Sequence, residues 1–318
     1  MILSAARRLG RVSNRPLKVG VQLPEVERLV GWPELRDMAQ TAEGVGFDSL
    51  WLGDHLLYRR PDGNVGPWEV WTSLAGLAEA TKRVEIGPLV ASTSFHSPAM
   101  LAKMAATVDE ISGGRLILGL GAGWNEPDYS AFGFAYDQRV SRFEEAFTII
   151  RTLLRDGAID FKGKFYEVRD SELRPRGAVS AHPNGPPLMV GSTSPRMLAI
   201  TAPHVDMWNE WHDRFRNSVD GIAPLMTQVD EAARAAGRDP AAIERTVTAL
   251  VRMTGGKGRS TSYADPTSPH DGTKPAEMAA ILRRYADAGI SHVQLVLDPI
   301  TEASIGECAP ILEALDKG

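Results

Sequence analysis

The sequence predicts an α/β fold of the (β/α)8 barrel (TIM barrel) class, with an insertion after the fourth helix. Eight short runs of β-forming residues alternate with longer amphipathic helical patterns, which indicates βαβ units and a parallel sheet. The length of 318 residues suits this class, because such barrels often exceed roughly 250 residues in one domain. Gln22-Leu23-Pro24-Glu25 follows the first strand where a dinucleotide-binding sheet would carry Gly-x-Gly-x-x-Gly, and this favours the barrel.

The first half of the chain contains four βα units. They are strand 17–23 with helix 32–45, strand 49–52 with helix 67–80, strand 84–90 with helix 98–111, and strand 116–120 with helix 137–155. Helix 32–45 has its apolar residues on one face, which is typical of a helix packed on a sheet. Pro98 suits the first turn of its helix, and Gly113-Gly114 ends it. The unbroken apolar run 116–120 is typical of a strand buried on both faces.

The second half contains four more units after an interruption. They are strand 188–190 with helix 195–202, strand 206–209 with helix 214–236, strand 246–253 with helix 275–288, and strand 292–297 with helix 304–315. The interruption covers 156–187, where 161–168 predicts a small β-hairpin followed by a Pro/Gly-rich loop. We interpret this stretch as an insertion into the barrel. The Gly/Ser/Thr-rich loop 254–273 is expected to form a lid over the barrel mouth.

Composition limits the function classes. A formal net charge of −5 argues against a nucleic-acid partner, which would require a basic face. Cys308 is the single cysteine, so an internal disulfide and a cysteine-rich metal site are excluded, and we expect a packed thiol. No run approaches the ~20 apolar residues of a membrane span. Residues 1–16 lack a secretory-signal pattern and are expected to be a disordered extension of one domain, 17–318, in a cytoplasmic protein.

The barrel fold predicts where the functional site lies. In this class the active site is built at the C-terminal ends of the strands, so the residues that follow each strand are the candidates. These segments are 53–55, 91–96, 121–126, 191–194 and 210–212.

These segments contain residue types that suit a phosphorylated aromatic cofactor. His55 can transfer a proton near neutral pH, and Trp124 offers a flat face for a planar ring. The glycine-containing loops 121–123 and 191–194 allow close approach of backbone, and the second leads into a helix N-terminus that favours an anion. Structural alternatives stay open: a loop-holding Asp54–His55 pair, a tight glycine turn, a core tryptophan and a simple helix cap.

Several blocks of the sequence resemble the luciferase-like monooxygenase superfamily. The run 43–55, Glu-Gly-Val-Gly-Phe-Asp-Ser-Leu-Trp-Leu-Gly-Asp-His, is similar to the family's second-strand block, and 101–126 is similar to the block that follows. Segments 136–147 and 187–208 also match. The resemblance covers nearly all of the chain beyond Pro16.

The resemblance implies a barrel that binds coenzyme F-420, a deazaflavin, or FMN, and acts on a small-molecule substrate as a homodimer. It places His55 at the position of the family's active-site histidine beside the cofactor ring. It also implies that a bulge near Pro88 and Leu89, often with a cis peptide, lines the ring. The expected cofactor contacts are Asp54, Ser92, Thr93, Ser94, Gly121, Ala122, Gly123 and Trp124, with Gly191, Ser192 and Thr193 at the phosphate.

Two positions differ from characterised members. Bacterial luciferases have an arginine for the flavin phosphate where this chain has Ala122, which favours the deazaflavin over FMN. Sugar-phosphate dehydrogenases of the superfamily have a catalytic glutamate where this chain has Trp124, which argues against that substrate. The sequence therefore predicts an F-420-dependent oxidoreductase.

Three alternatives stay open. One is an FMN-dependent monooxygenase that uses O2 and a separate reductase. Another is a flavin- or deazaflavin-binding protein without turnover. A third is a metal-dependent barrel hydrolase, for which ligand-type residues stand at His204, Asp206, Glu210 and His212, although the first strand lacks a His-x-His pair.

Overall fold

A computed structural model of the chain describes residues 15–61, 63–175, 182, 184–257 and 267–317. The strands are β1 (Lys18–Gln22), β2 (Ser49–Leu52), β3 (Tyr58–Arg60), β4 (Gly63–Val65), β5 (Glu85–Pro88), β6 (Ala91–Ser92), β7 (Leu118–Gly121), β8 (Ala158–Lys162), β9 (Glu167–Glu172), β10 (Leu188–Gly191), β11 (Met207–Glu210), β12 (Glu244–Arg252), β13 (His270–Asp271) and β14 (His292–Asp298). The helices are α1 (Trp32–Val45), α2 (Val70–Ala80), α3 (Pro98–Ser112), α4 (Glu126–Phe132), α5 (Arg139–Asp156), α6 (Pro195–Thr201), α7 (Val219–Ala235), α8 (Pro275–Asp287), α9 (Glu302–Gly306) and α10 (Ala309–Asp316).

The large sheet is a parallel barrel with eight strand positions. Its strands follow the order β5-β2-β1-β14-β12-β11-β10-β7-β6. The third position is divided: β5 pairs with β2, and β6 pairs with β7. Because β5 and β6 follow each other in the chain, this division closes the ring, and a bridge between Ile86 and Leu116 joins the same two positions lower down. The predicted (β/α)8 class is confirmed.

The barrel interior is filled by large side chains. Trp51, Ile117, Met189 and Met207 form a buried cluster inside the ring. A Cβ atom at Gly20 or at Gly87 would overlap or crowd the indole of Trp51, so glycine at these two positions provides the space that the ring occupies. The core is therefore packed, and the open space for a ligand lies above it at the strand ends.

Two elements that the sequence analysis did not predict lie near the barrel mouth. Strands β3 and β4 form an antiparallel hairpin after β2. Helix α4 follows β7, within a stretch expected to be loop. Between α5 and β10 the predicted hairpin is present as β8 and β9, which form a two-stranded sheet of their own.

Two predicted helices are divided in the structure. The helix expected at 214–236 is a 3-10 turn, His212–Phe215, followed by α7, because Arg216 and Asn217 have positive φ angles and interrupt the helix. The helix expected at 304–315 is α9 and α10. The helix expected from residue 67 begins at Val70, where the Glu69 carboxylate accepts hydrogen bonds from two backbone N–H groups of the first turn.

The chain ends differ in what can be described. The expected N-terminal extension lies outside the described residues up to residue 14. Arg15 is 3% exposed, and its guanidinium pairs with Asp48 and Asp316. The centre of the expected lid, 258–266, also lies outside the described residues. Among the helices that are described, none has the length and apolar character needed to cross a membrane.

Candidate active site

A cleft of about 1130 Å³ opens at the C-terminal ends of the barrel strands. It is lined from the ends of β1, β2, β7, β10, β11 and β14 and from the bulge between β5 and β6. This volume is enough for a cofactor and a small substrate together. The cleft is where the barrel class predicts the functional site to be.

Nine of the twelve predicted site residues line this cleft. They are Asp54, His55, Ser92, Gly121, Ala122, Gly123, Trp124, Gly191 and Ser192. The other three lie behind its wall. Thr93 and Ser94 form a 3-10 turn with Phe95, in which Thr93 is fully buried. Thr193 is 7% exposed, and its hydroxyl lowers the pKa of the Glu210 carboxyl group.

His55 is held by a buried carboxylate. Nδ1 of His55 lies 2.8 Å from Oδ2 of Asp128, in helix α4. The other carboxylate oxygen, Oδ1, accepts the backbone N–H groups of Leu56 and Leu57 at 3.0 and 2.7 Å. Because the carboxylate takes the Nδ1 side of the ring, Nε2 is the nitrogen left for a ligand in the cleft.

The His55–Asp128 pair shifts both pKa values toward the charged forms. Burial alone would lower the pKa of His55, but the hydrogen bond to Asp128 and the carboxylates of Glu25 and Asp54 raise it overall. Burial alone would raise the pKa of Asp128, but the hydrogen bonds from His55 and from Leu57 N–H lower it. The structure therefore favours an ionised Asp128 and a readily protonated His55, which suits a proton donor.

Aromatic rings cover one wall beside His55. Its ring centroid lies 4.7 Å from Tyr58 and 5.3 Å from Trp124, which meets it edge-on. Trp124 is 46% exposed, so the alternative of a core tryptophan is wrong. A half-exposed indole next to a histidine offers a face for a planar ligand.

A hydrogen-bonded network joins the loops that follow three neighbouring strand positions. The Asp54 carboxylate accepts the backbone N–H of Ser92 at 2.8 Å, and burial raises the pKa of Asp54 to about 7. The Ser92 hydroxyl lies 3.1 Å from the Tyr129 hydroxyl, which donates to the Ala122 carbonyl at 2.8 Å. This network connects the three loops and holds the cleft wall in place.

The floor of the cleft is apolar at the bulge in the third strand position. The peptide between Leu89 and Val90 is cis, as the resemblance implies for this region. A Cβ atom at Gly121 would lie 2.9 Å from a Val90 methyl group, and one at Gly191 would lie 3.3 Å from both. The two glycines thus let Val90 lie between the ends of β7 and β10, where it lines the cleft with apolar atoms.

Gly123 has a conformation and a setting that exclude a side chain. Its φ angle is +74°, and a Cβ atom there would overlap the Tyr129 hydroxyl.

We expect Gly123→Ala to lower the free energy of unfolding by about 2–3 kcal/mol, as the sum of backbone strain and a displaced hydroxyl. Denaturant unfolding measures it. Gly113→Ala is the matched control, because Gly113 has φ +71° but no atom near its Cβ position, and it should cost about 1 kcal/mol. Equal losses would contradict the packing argument.

Three residues that line the cleft were not among the predicted site residues. Asp128 lies in the unpredicted helix α4, and Glu210 was named only within the candidate segment 210–212 and as a possible metal ligand. Arg139 was not among the predicted site residues, but it lines the cleft, and its Nε donates to the Gly123 carbonyl at 3.2 Å. A signal for Asp128 was present, because Pro127 after Asn125 is typical of a helix start.

The residues of the metal-hydrolase alternative do not converge. His204 packs against Phe147, Asp206 pairs with Arg155, and of the four only Glu210 lines the cleft. His212 is buried beside Asp213. Within the described part of the chain, no group of three or more His, Cys, Asp or Glu side chains is placed to hold a metal ion.

Curated relatives are similar to part of the chain. The chain is 36% identical over 165 residues to an F420-dependent glucose-6-phosphate dehydrogenase of Amycolatopsis mediterranei. The matched residues make up 50% of this chain and 48% of that protein. It is 30% identical over 213 residues to the pyrimidine monooxygenase RutA of Caulobacter segnis, covering 64% and 58%. The chain thus spans about half the length of the curated relatives it matches.

The fold is shared with a solved structure, and a family model matches most of the chain. An F420-dependent secondary alcohol dehydrogenase in complex with an F420-acetone adduct has a TM-score of 0.76 at 20% identity, covering 94% of this chain and 99% of that one. A riboflavin lyase with modified FMN and substrate riboflavin also shares the fold, with a TM-score of 0.74 at 17% identity, covering 93% of this chain and 91% of that one. The model of the luciferase-like monooxygenase family matches residues 16–255. The chain therefore belongs to the luciferase-like monooxygenase family.

Proposed function

We propose that this chain is a coenzyme F-420-dependent oxidoreductase that transfers hydride to or from a small organic substrate. The observation that carries the proposal is the His55–Asp128 pair, which leaves Nε2 for the cleft beside the half-exposed indole of Trp124. When bound, a deazaflavin supplies a two-electron hydride donor or acceptor. The test is a substrate screen with F-420, followed by the change in cofactor absorbance. A cofactor that binds but never changes its redox state with any substrate would favour a binding protein instead.

The cleft fits a phosphorylated tricyclic cofactor. The apolar surface at Val90 suits a flat ring, and Trp124 and His55 would lie on one side of that ring. On the β7–β10 side, Ser192 offers a hydroxyl and Arg139 a positive charge. Two guanidinium nitrogens of Arg139 are fixed by backbone carbonyls, and its carbon lies 3.8 Å from the centre of the Tyr136 ring. Arg139 would thus supply the phosphate charge that Ala122 lacks.

The chain's own groups have separate tasks in this proposal. Asp128 orients His55 and stabilises its protonated form. His55 delivers a proton to the substrate oxygen, or removes one, as hydride moves between substrate and cofactor. Asp54 and Ser92 hold the loop next to the cofactor ring. Trp124 and Tyr58 keep water away from His55.

Arg139 provides a direct test of the phosphate position. We expect Arg139→Ala to weaken F-420 binding about tenfold or more, because a charge-assisted hydrogen bond contributes about 1.5–3 kcal/mol. The measurement is a fluorescence titration with F-420. The matched control is Arg142→Ala, which removes a guanidinium from the same helix that pairs with Asp137. If both variants bind F-420 as the wild type does, the phosphate lies elsewhere.

FMN is the second candidate for the cofactor, with O2 and a separate reductase as co-substrates. The similarity to RutA, named a monooxygenase, favours it. The named F420-dependent relatives and the replacement of the luciferase arginine by Ala122 favour F-420. Arg139 could hold the phosphate of either cofactor. Arg139→Ala therefore tests the position of the phosphate and does not distinguish F-420 from FMN.

We propose that the protein is a homodimer. Leu29, Trp32 and Trp68 are large apolar side chains with exposed fractions of 88%, 39% and 59%. The Trp68 indole N–H donates to the Val30 carbonyl, which places these residues together outside the cleft. A patch of this kind is typical of a protein–protein contact. Light scattering of the wild type and of Trp68→Ser tests it, and a monomeric wild type would contradict it. The cytoplasmic location stays a prediction.

A further inference from the structure

Glu210 is a buried carboxyl group at the end of β11 that the proposed function leaves without a task. It is 6% exposed and lines the cleft. Its Oε1 accepts the Trp211 backbone N–H at 3.1 Å. Its Oε2 is buried and has no hydrogen-bond partner among the described residues. A buried polar atom without a partner is unfavourable, and a hydrogen-bond donor on a ligand in the cleft could satisfy this oxygen.

The barrel places Glu210 on the wall opposite His55. From β2, which precedes His55, the ring runs through β1, β14 and β12 to β11 in one direction. In the other direction it runs through the divided third position, β7 and β10 to β11. β2 and β11 are therefore diametrically opposed. A ligand between the two walls would have His55 on one side and Glu210 on the other.

The groups around Glu210 leave Oε2 available. The Thr193 hydroxyl and the positive charge of Arg214 both lower the pKa of the carboxyl group. The neighbouring Asn209 uses its amide N–H groups on Thr246 and Gln294 below the cleft. Burial outweighs these favourable contacts and raises the pKa of Glu210. Glu210 therefore keeps its proton to a higher pH than an ordinary glutamate does.

We propose that Glu210 is a specificity-determining residue that hydrogen-bonds the oxygen of an uncharged hydroxy or carbonyl substrate and disfavours anionic ones. A carboxylic acid donates to a carbonyl oxygen, and a carboxylate accepts from a hydroxyl group, so one side chain binds both members of an alcohol–ketone pair. An anionic group in the same place would lie against a buried acidic side chain, which can offer it no positive charge and repels it when ionised. This inference rests on the proposed function and gives it a substrate class.

The test uses three ring compounds of similar size as probes: cyclohexanol, cyclohexanone and cyclohexanecarboxylate. Each is titrated into the cofactor-loaded wild type and into Glu210→Gln, with cofactor fluorescence as the readout. We expect the wild type to bind the two uncharged probes more tightly than the carboxylate. In Glu210→Gln the ratio of the affinity for the uncharged probes to the affinity for the carboxylate should fall by about tenfold or more. General damage to the site would weaken all three probes and leave the ratio unchanged.

Controls separate this inference from the proposed function. Glu244→Gln changes an exposed glutamate at the start of β12 and should leave the ratio as in the wild type. An unchanged ratio in Glu210→Gln, or no binding of either uncharged probe to the loaded wild type, overturns the role of Glu210 while cofactor binding stands. A wild type that binds neither F-420 nor FMN overturns both.

Discussion

Replacement of His55 by alanine is expected to lower turnover about 10²–10⁴-fold and to leave F-420 affinity within about threefold of the wild type. The reason is that His55 is the titratable side chain whose free ring nitrogen is directed by a buried carboxylate toward the cleft. Loss of the ring removes proton transfer and leaves the cofactor's phosphate contacts in place. Steady-state kinetics and a fluorescence titration measure the two effects separately.

Two further variants serve as controls for His55→Ala. His55→Asn keeps an amide N–H that can donate to Asp128, so it should fold as the wild type and yet be equally slow. His204→Ala removes a histidine that packs on Phe147 outside the cleft, and its turnover should be unchanged. Turnover retained in His55→Ala would exclude His55 as the proton donor.

Asp128→Asn should produce the second large effect, on both turnover and stability. The side-chain oxygen of an asparagine can still accept the Leu57 N–H. Its NH2 group, however, can donate to Nδ1 of His55, which favours the neutral tautomer that carries its proton on Nε2. We expect turnover to fall about 10²-fold. The free energy of unfolding should fall by about 2 kcal/mol, since a hydrogen bond between charged groups is lost. The pKa of His55, measured by NMR, should decrease.

The stability loss should depend on pH in a defined way. Because the pKa of His55 is raised in the folded state, protonated His55 stabilises the fold at pH values below its unfolded pKa of about 6.5. This stabilisation is lost as the pH rises through the folded pKa. The lowered pKa of Asp128 stabilises above its unfolded value of about 3.9, and this is lost as pH falls through the folded value. The deficit of Asp128→Asn should therefore be largest between about pH 4 and 6.5. Asp137→Asn, at an exposed carboxylate, is the control. A deficit independent of pH would contradict the pairing.

The sequence predicted the barrel because the signal for it is local. Strand and helix periodicities appear within windows of a few residues, so α1 and β2 could be predicted with the bounds that the structure shows. The position of His55 followed from the same logic, since every barrel strand ends at one face. The hairpin of β3 and β4 was not predicted, although the sequence contains a signal for it, because Pro61-Asp62-Gly63 is a typical turn sequence.

The partners of the site residues could not be predicted in the same way. Asp128 reaches His55 across 73 positions of sequence, and no local pattern encodes that contact. Arg139 has polar neighbours that are typical of a solvated helix face, and only the fold brings it to the Gly123 carbonyl. The burial of Glu210 depends on how β10, β11 and Thr193 pack. These are properties of the folded chain and not of its segments.

The measurement that tests the central claim most directly is a parallel titration of the purified protein with F-420 and with FMN, followed by fluorescence. We expect saturable binding of F-420 at one site per chain, at least about tenfold tighter than FMN. The binding should be weakened in Arg139→Ala and preserved in His55→Ala. A preference for FMN would contradict the choice of cofactor and direct the search to oxygen-dependent monooxygenation. Binding of neither compound would leave the barrel and the family unchanged and contradict the proposed function.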